Sequence, residues 1–137
     1  MARELALIVT GSTLTAERED RPLAYGLRER VQETGSGAGD VVVCGDLWYL
    51  NHDELRAIPT IAIGAPERNA LAAYWGDKLP SLLAVEGRFV VQGEPEFDPP
   101  LASLWGRSAE ETRHAVGAFV ERYMEAFVAA ARSTRHQ

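Results

Sequence analysis

Apolar residues in this chain gather into short continuous runs, with helically spaced stretches between them. The runs are Leu5 to Thr10 (LALIVT), Asp40 to Gly45 (DVVVCG), Thr60 to Ile63 (TIAI) and Leu101 to Trp105 (LASLW). Short runs rich in β-branched residues and without alternation predict strands covered on both faces, as in a parallel sheet. Between them, Leu23, Leu27 and Val31 recur at i, i+4 and i+8. So do Leu71, Trp75 and Leu79, with Ala72 beside them. Each set is the single apolar stripe of a helix lying on a sheet. Leu82 to Val85 and Arg88 to Gln92, joined by Glu86-Gly87, predict a hairpin. Val116, Phe119, Val120, Tyr123, Phe127 and Val128 predict one long helix from Ser108 to about Arg132. Strands alternating with helices define one α/β domain over residues 1–137: a three-layer sandwich with a mostly parallel central sheet and an antiparallel hairpin at one edge.

Punctuation residues sharpen this outline. Pro59 can open a strand but not interrupt one, and Gly64-Ala65-Pro66 turns the chain sharply after Ile63. Asn69 is placed to cap the following helix, and Asp20, with Pro22 in the first turn, to cap an earlier one that Gly35 would end in a left-handed conformation. Asn51 with Glu54, and Ser108 with Glu111, have capping-box spacing. Gly93 to Pro100, rich in proline and acidic residues, predicts a surface loop, and Ser133 to Gln137 a frayed end.

In open α/β sheets ligands bind beyond the carboxyl ends of the strands. The residues falling there are Thr10, Gly11, Ser12 and Thr13 after the first strand, Asp46 and Trp48 after the second, Gly64, Arg68 and Asn69 after the third, and Gly106, Arg107 and Ser108 after the last. Hydroxyls beside a glycine can cradle an anion, as can backbone amides at the start of the final helix. Arg68 and Arg107 would meet its charge, and Trp48 or Trp105 would stack on a ring. Asp46 is the best-placed general acid or base, although no partner for it can be named. Each of these residues also suits ordinary loop and cap chemistry. The P-loop and dinucleotide fingerprints are absent, no motif names a cofactor, and His52-Asp53 lacks a third metal ligand at fixed spacing. Cys44, inside a strand, reads as a small buried hydrophobe rather than a nucleophile.

Composition narrows the partners. The 137 residues suit one core. A formal net charge of −6 argues against nonspecific nucleic-acid binding and against docking on anionic membranes. No apolar run approaches the ~20 residues needed to span a bilayer. The amino terminus, with Glu4 inside a short apolar run, makes a poor signal peptide, so the expectation is a soluble, cytoplasmic protein. One cysteine permits no internal disulfide.

The segment from Ile8 to Glu17 resembles the flavodoxin phosphate loop, where a strand runs into Thr/Ser-rich sequence with a glycine; it departs from it at Leu14-Thr15-Ala16. The later half is similar in pattern to the cell-wall-binding type-2 repeat and related surface-layer α/β domains, through Ile61 to Pro66 and then Gly106, Thr112 and Ala115. These likenesses imply a flavodoxin/Rossmann-like sheet, and the first implies flavin as one ligand to test. The expected function is binding of a small anionic ligand at the carboxyl edge of the sheet. The alternative is a non-catalytic, homo-oligomeric interaction module, with a homodimer formed on the final helix and the hairpin.

Overall fold

The computed structural model describes residues 4–134. Six strands form one mixed, mostly parallel sheet in the order β2-β1-β3-β6-β5-β4. The strands are β1 (Glu4–Thr10), β2 (Asp40–Gly45), β3 (Thr60–Ile63), β4 (Ser81–Val85), β5 (Phe89–Gly93) and β6 (Leu101–Gly106). The first three and β6 run parallel; β4 and β5 are antiparallel and close one side of the sheet as a hairpin.

The helices are α1 (Leu14–Glu19), α2 (Arg21–Thr34), α3 (Asp46–Leu50), α4 (Ala70–Trp75), α5 (Ala109–Arg122) and α6 (Met124–Thr134). The sheet separates two apolar clusters. One gathers Ile8, Ile61, Ile63 and Leu104 with Leu27 and Val31 of α2, Phe119 of α5 and Phe127 of α6. The smaller gathers Leu7, Val9 and Ala62 with Tyr49 of α3 and Leu71 and Trp75 of α4. Alternate residues of β1 and β3 therefore face opposite clusters, the period-2 consequence of a strand covered on both sides.

Several expectations need correction. Leu14 to Glu19 is helical, capped by the Thr13 hydroxyl accepting from the Ala16 amide, so the first helical stretch begins earlier than the sequence suggested. Asp20 stands between α1 and α2, but its side chain makes no capping hydrogen bond. Gly35 has φ −75°, not a left-handed value; the left-handed turn falls on Ser36 and Gly37. A Cβ at Gly35 would lie 2.6 Å from Leu5 Cδ2, so a larger residue there would push the Leu5 side chain aside. The Asn51/Glu54 box does not form: α3 starts at Asp46, and a 3-10 turn follows at Asp53–Ala57 without a side-chain cap. The long final helix breaks at Tyr123. The break lets α6 lay Met124, Phe127, Val128 and Ala131 on the core. The Gly93 to Pro100 loop carries Phe97, buried edge-to-face against Phe119 and Phe127. Of the frayed end, residues 135–137 lie outside the described part.

Candidate functional site

Register aligns the carboxyl ends of the parallel strands. Thr10 stands between Gly45 and Ile63, and Ile63 beside Leu104. The loops that leave these ends hold one another closed. Asp46 is buried, and both its oxygens are occupied: Oδ1 accepts from the Ser12 hydroxyl at 2.6 Å and the Leu47 amide at 2.8 Å, Oδ2 from the Ala70 amide at 2.7 Å. One carboxylate thus ties the β1 loop, the start of α3 and the start of α4. Asn69 does the same for strands. Its side-chain amide donates to the carbonyls of Val9 and Ile63, while Oδ1 accepts from Leu71 and Ala72, capping α4. Gly11 lets the Arg68 carbonyl pass so close that a Cβ would lie 1.9 Å from it.

The end of β6 is built in a similar way. A Cβ on Gly106 would lie 2.5 Å from Glu111, so only glycine lets α5 approach. The Gly106 amide donates to Thr112 Oγ1, Ala115 is fully buried, and Ser108 caps α5 by accepting from the Glu111 amide. Gly106, Thr112 and Ala115 together dock a helix on a strand. Ser12, Thr13, Asp46, Asn69 and Ser108 spend their capacity on their own chain.

Two buried groups at this edge have no hydrogen-bond partner: Thr10 Oγ1 and the carboxylate of Asp20. Asp20 abuts Gly64, whose φ of +117° suits glycine and whose Cβ would lie 2.7 Å from Asp20 Oδ2. Burial pushes the Asp20 carboxyl up to about 6, with Arg68 pulling it down and Glu19 adding to the rise. Arg68 is no free anion receptor, because its guanidinium contacts Glu19 and lies 3.5 Å from Asp20. In the sequence, Asp20 sits inside the charge cluster Glu17-Arg-Glu-Asp-Arg21 and reads as a helix cap; no local signal marks it as buried.

A second part of the edge lies at the other side, where the β4–β5 turn meets the end of β6. A cavity of about 210 Å³ is lined there by Ala84, Glu86, Arg88, Val90, Trp105 and Arg107, among others. The Trp105 ring is oriented by its indole N–H, which donates to Gln92 Oε1 at 3.2 Å. Gln92 is in turn fixed by donating to the carbonyls of Gly76 and Leu79. The Arg107 amide donates to the Arg88 carbonyl, which joins the two arginines' backbones. Arg88 is engaged by Glu111 at 2.6 Å and by His114. Arg107 is exposed, and its guanidinium has no ion pair among the described residues. Sequence reasoning named Arg107 and Trp105; Arg88 and Val90 reach them through the hairpin register, Val90 pairing with Trp105 and Phe89 with Gly106.

Trp48 is half exposed, its ring tilted 39° to that of His52 with centroids 4.9 Å apart. Cys44 is buried, and burial raises its thiol to about 11, which disfavours the nucleophilic thiolate. Among the described residues no cluster of three or more His, Cys, Asp or Glu is placed to hold a metal ion.

No family model, curated protein or solved structure matches this chain.

Proposed function

We propose that the protein binds a small planar anion at the carboxyl edge of its sheet, in the cavity between the β4–β5 turn and the end of β6. The observation that carries this reading is the meeting of Trp105 and the unpaired Arg107 in one cavity of about 210 Å³. The indole offers a ring face already held by Gln92, so little side-chain freedom is lost on stacking. Arg107 offers a guanidinium fork to a carboxylate or phosphate. Val90 and Ala84 supply apolar contact. Glu86 on the rim disfavours a polyanion, and the volume suits a single aromatic ring better than a flavin. The cavity lies at the carboxyl end of β6, the parallel strand that borders the antiparallel hairpin.

A charge-assisted hydrogen bond contributes about 1.5–3 kcal/mol and a stacked ring about 0.5–1.5 kcal/mol. Near its upper end their sum, about 4 kcal/mol, corresponds to a Kd of about 1 mM. Aromatic carboxylates at ~10 mM should then raise stability by about 1.4 kcal/mol, visible as a thermal shift. The shift should disappear in Arg107→Ala and shrink in Arg107→Lys. A screen that stays silent, or a shift that survives Arg107→Ala, would refute the reading.

A further inference from the structure

A groove of about 680 Å³ runs between α2 and α5 on the face opposite α3 and α4. Its floor is Leu27 and Val116, its walls Pro22, Leu23 and Val120, and its rim Glu29, Arg30, Arg113 and Glu121. A glycine on each helix, Gly26 and Gly117, also lines it. A Cβ at either would meet nothing within 4 Å. An interior helix glycine costs about 1 kcal/mol relative to alanine. Nothing inside the monomer requires that cost at these two positions.

The charges on α5 indicate what covers the groove. Arg113 and Glu121 stand four residues before and four after Gly117. That spacing puts them about 12 Å apart along the axis and equally to either side of the glycine around it. A second α5 crossing antiparallel at Gly117 brings each Arg113 opposite the partner's Glu121, twice over. Neither side chain has an ion pair among the described residues that would compete. The same face continues past α5 into a second groove of about 430 Å³ that shares Arg113, Gly117 and Glu121 and is walled by Leu83, Val85 and Phe89. The large apolar residues of α6, Met124, Phe127 and Val128, are already buried in the core.

We infer that the chain forms a two-fold homodimer in which α5 of each copy lies along the other's α2–α5 groove, with the two Gly117 residues at the axis. An isologous contact is the form self-complementary charges dictate, and the paired glycines let the helices approach closely. Arg113 and Gly117 do not line the ligand cavity, which meets the second groove only at Val85 and Phe89.

The test is oligomeric state by sedimentation equilibrium at 5–200 µM (about the range for an interface of ordinary strength), with circular dichroism to check folding. Wild-type protein should be dimeric. Glu121→Arg should sediment as a folded monomer, and the double variant Arg113→Glu/Glu121→Arg should recover the dimer by restoring both pairs. In a Cys44→Ser background, Gly117→Cys should crosslink to a dimer under mild oxidation. A wild-type monomer throughout the range would overturn the proposal, whatever else the groove holds. So would a dimer indifferent to Glu121→Arg, or one that fails to crosslink through Gly117→Cys while remaining dimeric.

Discussion

Asp20 is fully buried, lacks a hydrogen bond, and has Arg68 as its nearest opposite charge. Its carboxyl titrates near 6 in the fold against 3.8 in the open chain, so the folded protein holds this proton more tightly. Stability linked to Asp20 is therefore fully present below pH 3.8 and is lost as pH rises through 6. The 2.2-unit difference (about 6 minus 3.8) corresponds to about 3 kcal/mol at most. Asp20→Asn should thus stabilise the protein relative to wild type at pH 7.5 and have little effect near pH 4. Melting temperatures of the two proteins across that range check this; a difference that does not change with pH would show that Asp20 is not buried as described. Asp46 and Asn69 are the reverse case, polar groups whose every bond is made. Asn69→Ala strands the carbonyls of Val9 and Ile63 and uncaps α4. It should cost about 2–3 kcal/mol in chemical denaturation, and a loss below about 0.5 kcal/mol would contradict the staple.

The same residues explain what could be read at the level of elements. β2 and β3 fall on the residues their apolar runs mark out, because a strand buried on both faces leaves an unbroken signal. Caps at Asn69 and Ser108 are legible because their hydroxyl or amide acts on backbone two or three residues away. What could not be read depends on distant partners. The break at Tyr123 has no glycine or proline beside it; it follows from α6 bending to cover the core around Phe97, which a proline-rich loop delivers. Gly11 and Gly106 read as ligand-binding positions and Gly35 as a left-handed cap, yet each has a close neighbour from elsewhere in the chain: a carbonyl, a helix and a leucine. The candidate site shows the same division. Its place at the strand ends follows from strand order, but whether a hydroxyl or carboxylate there faces a ligand or a neighbouring loop is decided across 24 to 34 residues of sequence, as the bonds from Asp46 to Ala70 and Ser12 illustrate.

On the scale of the whole molecule, the sheet carries two different carboxyl-edge environments. Over β1, β2 and β3 the loops are stapled by hydrogen bonds to Asp46, and Glu19 and Asp20 gather around one paired arginine. Over β6 and the hairpin an arginine stands free beside a positioned indole. A net charge of −6 gives no long-range attraction for an anion, so the proposed binding rests on the local field of Arg107. No helix is long and apolar enough to cross a membrane among the described residues. The three tryptophans make the position of the proposed site measurable. In a ¹H–¹⁵N correlation spectrum the Trp48, Trp75 and Trp105 side chains contribute separate indole signals, assigned by Trp105→Phe and Trp48→Phe. On titration with benzoate to ~10 mM, ten times the Kd expected from the Arg107 contact, the Trp105 indole and the Arg107 amide should shift together and saturate, while the Trp48 and Trp75 indoles stay in place. Movement confined to Trp48, or no saturable movement of Trp105, would contradict the account.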